Sequence, residues 1–343
     1  MAERTGARTR DGNPHVSTLR LRSSAALGAA GLLLALTACG GQDPAAGADV
    51  SGDSTGGSAL SGQVVADGSS TVEPLTSAAA TLYRDEQPDV DVTVATSGTG
   101  GGFKKFCADE TDISNASRPI EEDETAACEE AGVEYTEIVI ANDGLSVVVN
   151  PENDWLECIT TEQLATIWGP TAEGTVMSWK DVDPSFPDEP LALYGAGTDS
   201  GTFDYFTDAI NGEEGAIRAD YTPSEDDNLT VQGVAGAAGG IGFFGLSYAE
   251  EYADTIKLLA VDNGSGCVVP STETVQDGSY EPLGRPLFIY VNNTRYADNA
   301  ALRDFVDFYV ANAVSAAEDA LFVPLTDEQV TTAQDELASL VDG

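Results

Sequence analysis

Histidine is all but missing from this sequence. Its single copy, His15, sits in a basic N-terminal stretch, far from any other chemistry-bearing cluster. Basic residues are scarce as well: fifteen Lys and Arg stand against fifty-eight Asp and Glu, a formal charge of −43. Such an excess of negative charge excludes nucleic acid as a partner, because phosphate backbones bind through Lys and Arg. Long apolar runs are also missing. The best candidate, residues 25–38, falls short of the roughly 20 residues that a membrane-crossing helix needs. No Cys-x-x-Cys pair occurs, and the five cysteines are widely spaced, so no zinc-type ligand set is legible.

The short apolar run follows Arg4, Arg8, Arg10, Arg20 and Arg22 and ends in Leu36-Thr37-Ala38-Cys39-Gly40. A basic segment followed by a short apolar one reads as a secretory signal. Its end resembles a lipobox, in which cleavage precedes the cysteine and a diacylglycerol is attached to its thiol. On this reading residues 1–38 are a lipoprotein signal peptide. Cys39 is the lipidated residue, and acyl chains hold the protein on the outer face of the cell membrane. The segment carries five of the basic residues and two acidic ones, Glu3 and Asp11; its removal leaves ten and fifty-six, a charge of −46. His15 leaves with it. Histidine-dependent nucleophilic catalysis, histidine metal ligation and imidazole proton shuttling are then all excluded. No cofactor is expected.

Four cysteines remain: Cys107, Cys128, Cys158 and Cys267. An exported chain with an even number of cysteines oxidises them. Three pairings are open. Cys107–Cys128 with Cys158–Cys267 is preferred, since it keeps each bridge within one expected lobe.

Residues 39–60 are Gly, Ser, Ala and Asp with almost no large apolar side chain, the composition of a flexible tether. Beyond them strands and helices alternate. Strands are expected at 63–66, 90–95, 112–116, 134–141 and 145–149, with helices at 72–87, 103–108 and 120–131. A second series has helices at 161–168, 202–210 and 228–237, and strands at 191–194, 240–244, 256–261 and 286–291. Two amphipathic helices, 299–314 and 327–340, close the chain. This alternation predicts α/β lobes with mainly parallel sheets.

Three turns between a strand and a helix carry the same chemistry: Gly68-Ser69-Ser70-Thr71, Ser97-Gly98-Thr99-Gly100 and Asp199-Ser200-Gly201-Thr202. A helix N-terminus exposes unpaired N–H groups at the positive end of the helix dipole. Glycine lets a ligand approach the backbone, and hydroxyls add donors. Taken singly, each turn is an ordinary N-cap. Three together, at strand ends that face the crevice of an open α/β sheet, point to an oxyanion site. Two charged residues lie near them. Arg118, in Ser114-Asn115-Ala116-Ser117-Arg118-Pro119, can grip two oxygens of an oxyanion or simply pair with a surface acid. Asp143, in Asn142-Asp143-Gly144, is either a turn residue or a buried acceptor. Such an acceptor would take the proton of a protonated anion and repel an unprotonated dianion.

Those motifs, in order, resemble the PstS family, the phosphate-binding proteins of the phosphate ABC transporter. The residues that carry the resemblance are Asp67-Gly68-Ser69-Ser70-Thr71-Val72-Glu73-Pro74, Ser97-Gly98-Thr99-Gly100-Gly101, Ser117-Arg118-Pro119-Ile120, Asp143-Gly144, Thr198-Asp199-Ser200-Gly201-Thr202-Phe203 and Arg285-Pro286-Leu287-Phe288-Ile289-Tyr290-Val291. The resemblance implies a type II periplasmic-binding-protein fold, two α/β lobes joined by a hinge, with lobe I at 61–141 plus 286–343 and lobe II at 142–285. It implies phosphate held by Ser70, Thr71, Ser97, Ser117, Ser200, Gly201 and Thr202. Where the best-known members have an arginine four residues before the Ser-Gly-Thr serine, this chain has Ala196. Where they have the proton-accepting aspartate, it has Ser117. Arg118 and Asp143 are therefore expected to supply the guanidinium and the acceptor. A monomeric, non-enzymatic receptor that hands inorganic phosphate to transporter permease subunits is the expected function. The alternatives are a receptor for sulfate or molybdate, and a phosphatase using the same cleft. A purely adhesive surface lipoprotein leaves the three loops unexplained.

Overall fold

The computed structural model describes residues 60–342 except Asp199, and the side chains of residues 60–340. The signal-peptide and Cys39 readings, and nearly all of the expected tether, lie outside that range. The described chain belongs to one compact unit, Thr55–Gly343.

Nine strands form one sheet. They are β1 (Gly62–Gly68), β2 (Val90–Thr96), β3 (Ile113–Ala116), β4 (Tyr135–Val149), β6 (Ala192–Gly195), β7 (Thr222–Pro223), β8 (Gly240–Gly245), β9 (Lys257–Leu258) and β12 (Gly284–Asn292). Their order is β2-β1-β3-β12-β4-β8-β6-β7, with β9 also on β4. A smaller sheet joins β5 (Cys158–Thr160), β10 (Ala260–Asp262) and β11 (Cys267–Val268). Two large cores lie along the main sheet. One gathers Val64, Leu75, Ile140, Ile289, Phe305 and Tyr309. The other gathers Val147, Trp168, Trp179, Phe206, Phe243 and Leu283. The chain passes between them on β4 and β12.

The helix Glu73–Glu86 shows how sequence sets these parts. Pro74 is tolerated in its first turn, Glu73 faces the positive end of the helix dipole, and Arg84 the negative end. Leu75, Ala79, Ala80 and Tyr83 recur at helical spacing and are buried against the first core.

Several expectations need correction. First, β4 is a single strand through residues 135–149, not two strands around an Asp-Gly turn. Asp143 and Gly144 instead pair with Arg285 and Gly284 of β12. Gly144 is needed for packing, since a Cβ there would stand 2.7 Å from Val275. Second, the sheet is mixed. β1 is parallel to β2 and β3, and β6 to β7 and β8, but β12 is antiparallel to both β3 and β4, and β4 to β8. Two strands crossing between the cores in opposite directions force this. Third, the second helix runs Thr99–Cys107, not 103–108, and takes in Gly100, Gly101 and Gly102. A Cβ on Gly102 would stand 2.5 Å from the Cα of Gly68, so only glycine lets the helix cross the end of β1. Fourth, the expected strand 256–261 divides between the two sheets as β9 and β10. The expected helix 299–314 likewise breaks at Asn312, whose side-chain amide donates to the Phe308 carbonyl at 2.8 Å.

The disulfides are Cys107–Cys128 and Cys158–Cys267. They span 21 and 109 residues, so chain entropy predicts contributions of about 3 and about 5 kcal/mol.

Candidate functional site

Two of the three hydroxyl-bearing turns meet at one place, and the third touches it only through the packing of Gly201 on Thr71. A small cavity between the lobes is lined by Ser69, Ser70, Thr71, Gly98, Thr99, Ser117, Asp204, Tyr205, Glu214 and Arg285. Ser69–Thr71 follow β1 and precede the helix Glu73–Glu86, whose N-cap, Val72, has no side-chain cap bond. The hydroxyls of Ser70 and Thr71 are thus not consumed as caps. Gly98 and Thr99 open the next helix, and Ser117 follows β3. The Thr99 and Ser117 hydroxyls lie 3.0 Å apart, and Thr99 Oγ1 also accepts the Ser117 N–H at 3.3 Å.

From the other side comes the helix Gly201–Asn211. Its Asp204 accepts the Ser70 hydroxyl at 3.2 Å, and the Gly201 carbonyl accepts that of Thr71 at 3.4 Å. Gly201 permits this approach: a Cβ would stand 2.5 Å from Thr71 Oγ1.

Arg285 is the one cation on the wall of this cavity. Its guanidinium donates to Thr71 Oγ1 at 3.3 Å and to Asp143 Oδ2 at 3.4 Å. It lies 3.4 Å from the ring centroid of Tyr205, whose hydroxyl donates to the Pro282 carbonyl at 2.7 Å. Planar, delocalised and stacked, this group is held ready for bidentate contact with an oxyanion. Burial pushes the Asp143 carboxyl above the ordinary carboxylate range, and the nearby Arg285 offsets only part of that. Burial also raises Asp204, with Ser70 and Arg285 opposing. Glu214 is raised by burial and then by the charges of Asp204 and Asp208. The hydroxyls, one guanidinium and two carboxylates raised by burial on this wall are groups that can hold a protonated oxyanion at short range. Such short-range contacts can act inside a chain of charge −43 because distant carboxylates are screened within a Debye length of about 8–10 Å.

Of the residues expected from sequence, Ser70, Thr71 and Ser117 stand on this wall. The others do not. The Ser97 hydroxyl donates to Asp67 at 2.7 Å and so braces its loop. Arg118 is spent on acids, bonding Glu124 through both terminal nitrogens at 2.8 and 2.9 Å and Glu121 at 3.1 Å. Asp143 lies behind Arg285, on the wall of a separate hinge-side cavity that it shares with Thr202. Ser200 is an N-cap that accepts the Thr202 N–H at 3.2 Å, and Gly201 packs on Thr71. Asp199 lies outside the described residues. Sequence reasoning passed over Arg285, Asp204 and Glu214. In a chain with so few basic residues, Arg285 at the head of its strand motif is as visible in the sequence as Arg118.

A family model described as a PBP superfamily domain matches residues 53–313. Protein SphX of Synechocystis sp. is 50% identical over 271 residues, 79% of this chain and 81% of that one. The phosphate-binding protein PstS of Staphylococcus saprophyticus is 38% identical over 91% of this chain and 93% of its own. The chain belongs to the PstS family. A crystal structure of a possible phosphate binding protein from Planctomyces limnophilus superposes with TM-score 0.78 at 41% identity, covering 82% of this chain and 99% of that one. An ABC-type phosphate transport receptor from Vibrio cholerae shares the fold at TM-score 0.59 and 21% identity, over 77% of this chain and all of its own. The two-lobed α/β architecture is therefore that of the PstS proteins, with β4 and β12 as the crossing strands.

Proposed function

We propose that this member of the PstS family is an extracytoplasmic solute-binding protein that captures inorganic phosphate between its lobes and delivers it to a phosphate ABC transporter. One observation carries the reading: a cavity walled by hydroxyl-bearing loops of the first lobe and by Asp204, Tyr205 and Glu214 of the second, with a single stacked guanidinium, in a chain whose relatives bear the name of phosphate-binding proteins. In this reading Ser70, Thr71, Thr99 and Ser117 donate from the first lobe, and Arg285 grips the anion from the hinge. Asp204, seconded by Glu214, accepts the phosphate proton; Asp143 orients Arg285 rather than touching the ligand. Ser200, Gly201 and Thr202 set the approach of the second lobe. The lobes divide near residues 141–142 and 285–286, and hinge motion there closes the cleft. The protein works as a monomer, without cofactor or catalytic turnover, and Cys39 ties it to the membrane by its acyl chains.

Calorimetric titration of the ligand-stripped protein with phosphate and then sulfate tests the function. One-to-one phosphate binding that sulfate does not displace is expected. Sulfate binding as tightly as phosphate would overturn the specificity, and hydrolysis of a phosphoester would overturn the receptor reading. Membrane fractionation of a Cys39→Ala variant tests the anchor, with release into the soluble fraction expected.

A further inference from the structure

Arg285 is touched at its edge and on its face, and the two contacts differ in how firmly they hold it. At the edge, Nε and Nη2 donate to Asp143 Oδ2 at 3.4 Å, and Nη2 also donates to Thr71 Oγ1 at 3.3 Å. These bonds are longer than the roughly 2.7–3.2 Å of a well-formed N–H···O bond, so they place the edge but constrain the plane little. Nη1 forms no hydrogen bond among the described residues. On the face, the guanidinium carbon stands 3.4 Å from the centroid of the Tyr205 ring. At that separation a strongly tilted guanidinium would drive a nitrogen into the ring, so the two planes run nearly face to face. All five donors of a guanidinium lie in its plane. The orientation of the ring therefore decides where Nη1 points.

The ring is itself fixed at two ends. Tyr205 rises from the helix Gly201–Asn211 and is buried in the second core. Its hydroxyl donates at 2.7 Å to the carbonyl of Pro282, on the segment that leads into β12 just before Arg285. Burial holds the phenol above its ordinary range, with Arg285 opposing, so the ring offers a face and not a charge.

We propose that Tyr205 is a positioning residue for phosphate: its ring sets the plane of the Arg285 guanidinium and so aims the free Nη1 at the ligand. This rests on the phosphate reading of the small cavity. The test is a double-mutant cycle, read by calorimetric titration of ligand-stripped protein with inorganic phosphate. Tyr205→Leu should weaken binding about tenfold, and no more than Arg285→Ala does, because Tyr205 acts only through that arginine. Tyr205→Phe keeps the face and should stay within about twofold. Combined with Arg285→Ala, Tyr205→Leu should cost nothing further, whereas a merely structural role would cost the same in both backgrounds. Should the leucine variant not fold, Tyr205→Met fills more of the space without a flat face and serves in its place. Equal losses in the two backgrounds, or unchanged affinity in Tyr205→Leu, would overturn the role of Tyr205 while leaving phosphate binding in place. Unaltered protein that does not bind phosphate would overturn the phosphate reading, and this role with it.

Discussion

Replacing Arg285 with alanine separates the two arginines as phosphate ligands. The guanidinium is the one cation on the cavity wall, bonded to Thr71 and stacked on Tyr205. A hydrogen bond to a charged group contributes about 1.5–3 kcal/mol, so Kd should rise about 10- to 150-fold. Stability should fall too. The stack on Tyr205 is worth about 1 kcal/mol, and Asp143 loses its partner. Breaking a buried pair costs about 3–5 kcal/mol when the remaining charge persists. Asp143, however, already sits above the usual carboxylate range through burial, so it can take up a proton instead. A raised native pKa favours the folded state at low pH and disfavours it as pH rises. The melting temperature of the variant should therefore drop more at pH 8 than at pH 5. Adding Asp143→Asn should recover stability without recovering affinity. The control is Arg118→Ala, which removes partly exposed pairs with Glu121 and Glu124; its cost is at most about 1 kcal/mol and its phosphate affinity should stay within about twofold. Calorimetric titration reads affinity and scanning calorimetry reads stability. If Arg118→Ala lost tenfold or more while Arg285→Ala bound normally, the assignment of the guanidinium would be wrong.

Three further outcomes are expected. Asp204→Asn replaces an acceptor with a group that can also donate, so sulfate should begin to compete with phosphate; unchanged rejection of sulfate in competition titration would remove Asp204 from the specificity mechanism. Gly201→Ala puts a Cβ 2.5 Å from Thr71 Oγ1 and 2.8 Å from Thr71 Cα, which obstructs closure. Phosphate should bind at least about tenfold more weakly, with scattering showing a wider molecule in saturating ligand, and normal affinity would contradict the close approach. Asp227, pushed to about 6 by burial and then by Asp226 and Glu225, penalises the native state above that pH but not below the ordinary aspartate range. Asp227→Asn should thus stabilise the protein by about 1–2 kcal/mol at pH 7.5 and by nothing measurable at pH 4, read by denaturant titration at both.

Much of the fold was legible because local rules suffice for it. Leu75, Ala79 and Tyr83 repeat at helical spacing, Pro74 marks a first turn, and Val64 and Ala66 alternate into the core of β1. Where local rules misled, a neighbour distant in sequence had decided. Asp143-Gly144 is a turn signal in isolation, but β12 lies alongside and holds both residues extended. Gly100, Gly101 and Gly102 weaken a helix in isolation, yet β1 passes so close that a side chain on Gly102 would collide with it.

The candidate site divides in the same way. The sequence by itself determined the chemistry available: hydroxyls and glycines at strand ends, very few cations, and one histidine far from all of them. Those are properties of residue type and order, which need no folding to be read. Only the tertiary structure decided which of these groups meet. Arg118 lies on the chain within six residues of Glu121 and Glu124 and is neutralised by them, while Arg285, 214 residues from Thr71, is carried into the cavity by β12. Ser97 carries the right hydroxyl at the right turn but donates it to Asp67, and Ser200 accepts the Thr202 N–H as an N-cap off the cavity wall, whereas Ser70 and Thr71 face partners from the other lobe. Which partner a hydroxyl meets there depends on distances that close only when β4 and β12 bring the two lobes together.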